Sequence, residues 1–420
     1  MTELLGDGSA AQTAWGYGVG GAGLLIALCA PILGSIADHS GRRMPFIWVF
    51  SAMYVFGAAG LWFAAPDSFN IVLILCLFAV GLIGMEFATI FTNALLPNLG
   101  PAEQIGRISG SGWAIGYLGG LVSLIMMLTL FAENAETGLT LIGIDPIFGL
   151  DANAREGTRA VGPLTAIWFI VFIIPFFLWV KEPRMPNALP IGAAIRTALP
   201  NLAISLKKLP KNRSLFAYLG SSMFYRDALN GMYTFGGIYA SGVLGWSVVE
   251  IGTFAILAVL TGAIFAWLGG KADDRFGPKP VITFNVLLLT AVAIGIVFTS
   301  RESVFGFAVA EGSTLPDTVF YILGALIGAG GGMLQSASRH MLVRQADQSK
   351  MTESFGLYAL AGKATAFIAP LMIGVTTQIT GSQQLGVSPL IALFLIGLVM
   401  LFFVHPNPQP ARKGHPENAV

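Results

Sequence analysis

Hydrophobic residues in this chain are concentrated in long, unbroken runs that are separated by polar segments. A spanning helix needs about 20 mostly apolar residues, and eleven runs are long enough. Because the runs are continuous and lack the two-residue alternation of transmembrane β-strands, they predict helices. They lie near residues 13–37, 44–64, 70–94, 109–131, 161–180, 214–242, 249–270, 280–299, 318–337, 354–379 and 388–405.

The composition excludes most other classes of protein. Of 420 residues, 55% are hydrophobic and only 11% are charged, and the mean hydropathy is +0.74. A soluble domain carries about 25% charged residues. So few charges exclude an ordinary cytoplasmic enzyme, a secreted disulfide scaffold and a disordered chain. The net charge of +1 gives no general attraction for nucleic acid, and no residue cluster indicates a metal or cofactor. The prediction is an all-α polytopic membrane protein.

The distribution of basic residues orients the predicted helices. Eighteen of the 23 Lys and Arg residues fall at connections on one side, three on the other and two inside spans. The three are Arg155, Arg159 and Arg301. By the positive-inside rule the basic side faces the cytoplasm. This places the C-terminus inside and the numbered N-terminus outside, and it supports eleven spans.

Two long connections divide the chain. Residues 181–213 form a basic, proline-rich cytoplasmic linker, and its stretch IGAAIRTALPNLAISLKKL predicts short amphipathic helices on the inner leaflet. The linker separates an N-terminal bundle of five spans (1–180) from a C-terminal bundle of six (214–405), which a cytoplasmic tail (406–420) follows. The acidic connection 132–160 is predicted to be a solvated cap on the outside.

A short polar motif occurs twice, each time at a cytoplasmic helix end. Both copies have four residues from Gly to Asp and three from Asp to the next Gly. The first copy, GSIADHSGRR, contains Gly34, Asp38, Gly41, Arg42 and Arg43. The second copy, GKADDRFGPK, contains Gly270, Asp274, Gly277 and Lys279. The repeat indicates two related half-chains of the size found in transporters.

The chemistry of the motif suits a latch on the inner face. Asp38 can accept hydrogen bonds from the positive N-terminal end of a neighbouring helix. Gly41 permits a tight reversal, and Arg42 and Arg43 are placed by the sequence among anionic lipid headgroups. Such a cluster would hold the inner face closed. The alternative, a generic polar turn with positive-inside arginines, is weakened by the second copy.

With this motif the sequence resembles the major facilitator superfamily, whose signature between its second and third helices is G-x-x-x-D-x-x-G-R-[RK]. Further stretches resemble the branch of autophagy-related vacuolar amino-acid effluxers and their bacterial relatives. They are NALLPNLGPAEQIGRISGSGWAIGYLGG, VGPLTAIWF, FYRDALNGMYTFGGIYASGVLGW and FGLYALAGKATAFIAPLMIGVTTQITGSQ. The resemblance implies a two-bundle fold of twelve helices, transport of small polar solutes such as amino acids, and efflux as the commoner direction. Eleven spans leave the first family helix absent, so that either the sequence starts late or the protein works differently.

Four charged residues fall inside predicted spans, namely Glu86, Arg226, Asp227 and Lys363. Each costs about 2.5–3.5 kcal/mol at mid-bilayer, so they must face a wet cavity or one another. The family resemblance puts the first three on helices that line the cavity, and Lys363 on a more peripheral one.

These charges define a hypothetical site for substrate or protons. Arg226, Asp227 and Asn230 lie close together on one helix, with Tyr233 nearby; the alternative is a structural charge network that ties the bundles together. Glu86 is the candidate proton carrier, or else a fixed partner of Lys363 or Arg226. Asn93 lies on the same face as Glu86, and Gln335 lies beside a glycine cluster.

Two glycine patterns indicate close helix packing. Gly112, Gly116 and Gly120 recur every four residues and predict a packing face. Gly328, Gly330, Gly331 and Gly332 predict a segment of close approach, because neither a preceding strand nor a following Lys-Ser/Thr supports a phosphate loop.

The sequence therefore predicts a secondary active transporter that works by alternating access in a bacterial inner membrane, as a monomer. Protons are the expected coupling ion, from Glu86 and Asp227. A non-transporting sensor or scaffold is the alternative, and a membrane-embedded enzyme is disfavoured because no nucleophile or metal cluster is found.

Overall fold

The computed structural model describes residues 8–66, 69–134, 137–183 and 188–406. The first half contains α1 (Gly8–Ser40), α2 (Met44–Gly60), α3 (Ile71–Ala94), α4 (Ile105–Met126), α5 (Glu156–Arg159) and α6 (Val161–Trp179). A π-helical segment, Met127–Phe131, extends α4. Single 3-10 turns occur at Leu61–Phe63, Leu96–Asn98, Ala102–Gln104 and Ile147–Gly149.

The linker and the second half follow the same plan. The linker contains α7 (Ile191–Lys208) and the turn Leu209–Lys211. The second half contains α8 (Arg213–Leu244), α9 (Val248–Phe276), α10 (Pro278–Val297), α11 (Leu315–Gln345), α12 (Met351–Ala364), α13 (Ile368–Thr380), α14 (Gln383–Gly386) and α15 (Pro389–Phe402), with a turn at Gln348–Lys350. A two-residue hairpin pairs β1 (Ser303–Val304) with β2 (Phe307–Ala308).

The all-helical membrane fold is confirmed. Within the described ranges, ten helical stretches are long and apolar enough to cross a membrane. The predicted span at 214–242 corresponds to α8, which is 32 residues long but is not one of the ten, since its polar residues, among them Arg226 and Asp227, lower its hydropathy. The count of eleven spans therefore stays a prediction.

The predicted span 354–379 is not one continuous helix. α12 ends at Ala364 and α13 begins at Ile368, so the segment is broken within the bundle. The hydropathy of the run is the same with or without a break, which is why the sequence did not indicate it. Hydrogen-bond partners from other helices stabilise the new helix end, as described below.

The linker also differs from its prediction of several short helices. α7 is one helix of 18 residues with Pro200 inside it. Its alanines Ala194 and Ala198 are buried against Ile36 of α1, so packing stabilises the helix across the proline. Of the tail 406–420, residues 407–420 lie outside the described residues.

The two halves contact each other at one end of the molecule, which we call the motif end because both motif copies lie there. α1 packs on α12 and α4 packs on α9. A Cβ atom on Gly34 would lie 2.6 Å from the Thr352 carbonyl oxygen, and one on Gly270 would lie 2.8 Å from the Gly106 carbonyl oxygen. These glycines let helices of different halves approach closely.

Several glycines farther from the motif end have no close neighbour. A Cβ atom added to Gly23 of α1, or to Gly116 or Gly120 of α4, would have no neighbouring atom within 4 Å. The predicted packing face is therefore absent at Gly116 and Gly120, whereas a Cβ on Gly112 would lie 3.6 Å from the Arg339 guanidinium. Gly106 and Gly110, which lie nearer the motif end, make the close contact with α9 instead.

The acidic connection 132–160 is only partly a solvated cap. Glu133 is buried and accepts hydrogen bonds from the backbone N–H and the hydroxyl of Thr158, at 2.9 and 2.8 Å. It thereby pins the start of the connection to α5, directly before α6, whereas Asp145 and Asp151 are exposed. Glu136 lies outside the described residues.

Candidate functional site at the interface of the two halves

Asp38 of the first motif copy joins the two halves at the N-terminus of α12. Its carboxylate accepts the backbone N–H groups of Thr352 at 3.1 Å and Glu353 at 2.8 Å. Both donors lie in the first turn of α12, where N–H groups have no partner within the helix. A buried carboxylate satisfies them and complements the positive helix end. The motif predicted this type of contact, and the structure supplies the partner helix.

Arg43 completes this cluster rather than facing lipid headgroups as predicted. It is buried, its guanidinium lies 3.0 Å from Asp38, and its Nε donates to the Thr352 hydroxyl at 2.7 Å. Arg42 is exposed. Gly41 has a φ of 61°, the left-handed conformation that suits glycine and produces the reversal before α2.

The second motif copy forms the matching contact on the other side of the interface. Asp274 of α9 accepts the backbone N–H of Arg107 at 3.0 Å, in the first turn of α4. The neighbouring Asp273 lies 2.9 Å from His340 Nδ1, and Gly277 has a φ of 83°. Lys279 lies apart from this contact, because its Nζ donates to the carbonyl oxygens of Phe402 and Val404 at the end of α15.

The two contacts are reciprocal. The first half supplies Asp38 to a helix of the second half, and the second half supplies Asp274 to a helix of the first half. Each aspartate accepts from backbone donors at a helix N-terminus. The repeated motif therefore produces a pair of matched contacts that join the two halves at the motif end.

A second layer of polar contacts lies behind the motif contacts. Arg339 of α11 donates to the Ser109 hydroxyl at 3.1 Å, to the Ser109 carbonyl at 2.7 Å and to the Asn93 side-chain oxygen at 3.0 Å. Ser109 also donates to the Ser336 carbonyl at 2.9 Å. A single guanidinium thus ties α11 to α3 and α4 of the other half.

Gln335 and Tyr233 lie one turn deeper. The Gln335 side chain donates to the Tyr117 hydroxyl of the other half at 3.1 Å. The Tyr233 hydroxyl lies against Gly331, while Gly328 and Gly332 pack on backbone carbonyls of α9. The predicted close approach at the glycine cluster of α11 is therefore present.

Glu86 and Lys363 form an ion pair between the halves. Lys363 Nζ lies 2.6 Å from Glu86 Oε1, and both side chains are partly exposed, at 34% and 23%. The lysine lies at the end of α12, directly before the break. Of the two partners that the sequence leaves open for Glu86, the structure has Lys363.

Arg226 packs on the same segment of α12. Its guanidinium lies 4.0 Å from the ring centre of Tyr358 and donates to the Tyr358 carbonyl at 3.1 Å. A Cβ on Gly362 would lie 2.9 Å from both terminal guanidinium nitrogens, so the guanidinium would have to shift to accommodate a larger residue there. Within the described residues no carboxylate forms an ion pair with Arg226.

Asp227 faces the break itself. It is buried, and its Oδ2 accepts the Ala369 N–H in the first turn of α13 at 3.0 Å. Asn230, which the sequence groups with it, is exposed. The structure therefore brings Glu86, Lys363, Arg226 and Asp227 to one broken segment, but it does not place Asn230 in direct contact with them.

Four residues of the interface, Arg339, Thr352, Tyr117 and Glu182, were not predicted from the sequence. The sequence pattern places Arg339 among the basic residues at connections. In the structure it lies inside α11, more than a turn before the helix ends. The predicted span ends at residue 337, so the sequence held no signal for it. Glu182 accepts the backbone N–H groups of Arg43 at 2.7 Å and Met44 at 3.1 Å, so it caps α2 next to the first motif. Its acidic character in a basic linker was the only sign.

Comparison with solved structures identifies the class of this two-bundle fold. A structure of the "MFS (major facilitator superfamily) proton:xylose symporter XylE" covers 94% of this chain and 86% of its own, with 14% identity and a TM-score of 0.69. The E. coli fucose:proton symporter FucP covers 93% and 96%, with 15% identity and a TM-score of 0.64. The chain has the major facilitator fold.

Within that class the chain belongs to the family described as "Vacuole effluxer Atg22 like", which matches residues 17–409. An uncharacterized MFS-type transporter of Bacillus subtilis, YxiO, is 27% identical over 413 residues, 95% of this chain and 86% of the relative. Autophagy-related protein 22 of Cryptococcus neoformans is 24% identical over 301 residues, 70% and 48% respectively. The chain spans about half the length of such fungal relatives. As a member of a transporter family, it is not an enzyme.

Proposed function

We propose that this protein is a secondary active transporter that exports a small polar solute, with amino acids as the leading candidates, in exchange for protons. The observation that carries the proposal is the ion pair of Glu86 and Lys363, which joins the two halves beside a broken helix. Broken helices near the membrane centre supply transporters with binding groups for ions and substrates. The motif end would face the cytoplasm of a bacterial cell, and the protein would work as a monomer.

The ion pair supports a mechanism for proton coupling. In the closed arrangement Lys363 neutralises Glu86. Separation of the halves at this point would leave a carboxylate exposed to the cavity, where it can take up a proton. The reverse movement would expel that proton as Lys363 returns. The two motif contacts would break in the same step, because they lie on the same interface.

The positive groups support a solute with a carboxylate. Arg226 has only a carbonyl oxygen and an aromatic ring as partners among the described residues, and it directly precedes Asp227, which caps α13. A guanidinium group that lacks an anionic partner can bind a carboxylate with two hydrogen bonds. The outward direction follows the expectation of efflux that the sequence raises.

Counterflow in proteoliposomes tests the proposal. Vesicles loaded with amino acids or with sugars would be assayed with and without a pH gradient, and we expect amino-acid counterflow that the gradient drives. Glu86→Gln should retain exchange of solute but lose the response to pH. A purified protein that binds amino acids and moves none would contradict the proposal and favour a sensor.

A further inference from the structure

The helix of the linker has an exposed apolar stripe. α7 buries Ala194 and Ala198 against Ile36 of α1, and Leu202 is buried as well. Beside this buried strip, Ile191, Ile195, Leu199 and Leu206 follow helical spacing and are 51%, 55%, 61% and 42% exposed. They project from the adjoining face of the helix, away from the protein.

Basic residues border this stripe. With 3.6 residues per turn, Arg196 and Lys207 fall next to Leu199 on its far side, whereas Lys208 falls on the opposite face beside Asn201. Arg196, Lys207 and Lys208 are all exposed. An apolar stripe edged by cations is the pattern of a helix that lies in the surface of an anionic bilayer.

The same helix is attached to residues on both sides of the first motif contact. His39, inside the motif, lies 2.9 Å from the Asn201 amide, and its carbonyl accepts the Leu189 N–H at 2.9 Å. On the other half, Lys350, directly before α12, donates to the Ser205 hydroxyl at 2.7 Å. α7 therefore bridges the two halves beside the Asp38 contact.

We propose that α7 lies in the leaflet at the motif end, binds anionic lipid through Arg196 and Lys207, and thereby stabilises the closed arrangement of that end. The stripe inserts among the acyl chains and the two cations meet lipid phosphates. Because α7 holds His39 and Lys350 together, a helix fixed on the membrane resists separation of α1 from α12.

The first experiment measures insertion in full-length protein. In a Cys29→Ser, Cys76→Ser background, Leu199→Cys and Ile204→Cys carry an environment-sensitive fluorophore. Ile204 is the matched control, since it is exposed on the opposite face of α7. In vesicles that contain about one-third phosphatidylglycerol, we expect a quencher attached to the lipid tails to quench the fluorophore severalfold more strongly at position 199 than at position 204. Equal quenching at the two positions, or quenching only by an aqueous quencher, would show a face that is free or bound by protein and would overturn the proposal.

The second experiment tests the charges and the coupling. Arg196→Gln with Lys207→Gln should remove most of the difference between anionic and phosphatidylcholine vesicles, and added salt should do the same. Lys208→Gln is the control and should not. Ser336→Cys, buried behind the closed end, reports opening through its alkylation rate, which we expect to rise severalfold in the double variant. Unchanged alkylation would contradict the stabilising role. Neither measurement depends on transport.

Discussion

At the scale of single residues, the interface between the two halves depends on where its glycines and charged side chains lie. Gly34 permits close contact between the backbones of α1 and α12. Gly362 leaves space for the guanidinium group of Arg226. Asp38 and Asp227 both act on the N-terminus of a helix to which they do not belong. Both carboxylates are buried and accept backbone N–H groups of another helix, which a solvated residue of a polar turn would not do.

Gly34→Ala should destabilise the closed motif end. The added Cβ would lie 2.6 Å from the Thr352 carbonyl oxygen, so α1 must move away from α12. Overpacking of this kind costs about 1–3 kcal/mol, which thermal unfolding in detergent would detect. Gly23→Ala on the same helix is the control, because no atom lies within 4 Å there. Equal stability of the two variants would contradict the close packing.

Removing one partner of the Glu86–Lys363 pair should cost more than removing both. Lys363→Gln leaves the Glu86 carboxylate without its cation, and Glu86→Gln leaves the Lys363 ammonium group without its anion. The double variant has two neutral amides at these positions. A double-mutant cycle on unfolding free energies should give a coupling of about 0.5–3 kcal/mol. Additive effects would show that the 2.6 Å contact contributes nothing to stability.

At the scale of elements, the break between α12 and α13 is the feature that gives the site its form. It brings a helix C-terminus with Lys363 and a helix N-terminus with Ala369 to the same region. Asp227 of α8 accepts a hydrogen bond from the second end. The discontinuity thus converts a spanning segment into two helix ends that other charges can engage.

Loss of the carboxylate at position 227 should loosen α13 specifically. Asp227→Ala removes the hydrogen bond and the charge at the helix end, at a cost of about 0.5–2 kcal/mol. Asp227→Asn keeps an acceptor and should lie between it and the parent protein. Hydrogen exchange of amides in 368–380 measures this, and Asn230→Ala serves as the exposed control. Faster exchange throughout the molecule would indicate general unfolding instead.

At the scale of the whole molecule, the two motif copies act on opposite sides of one interface. Asp38 and Asp274 each bind a helix N-terminus of the other half. Both contacts lie at the motif end. Movement of one half against the other would therefore break both contacts together.

Neutralising both aspartates should open the motif end more than neutralising either one. Spin labels on α1 and α12 near the motif end would report the distance between the halves. We expect partial lengthening in Asp38→Asn and Asp274→Asn and a further shift in the double variant. A label pair at the opposite end should change in the other direction. Unchanged distances in the double variant would rule out a latch.

Much of the site could be predicted, because its signals are local. The motif predicted the role of Asp38 as an acceptor at a helix end, and four charges in apolar runs predicted a shared polar region. Arg339 and the break after Ala364 could not be found in this way. Arg339 became significant only because α11 packs against α3 and α4, and a broken helix has the same hydropathy as an unbroken one.

The sequence by itself determined that this protein is a helical membrane protein and that it has two related halves, each with a copy of a polar motif. Composition and residue spacing can be read along the chain without knowing how its helices pack. The tertiary structure decided which charges meet. Asp227 and Ala369 are 142 residues apart, and Arg339 and Asn93 are 246 apart. Contacts over such separations depend on how helices from different parts of the chain pack, which no local pattern contains.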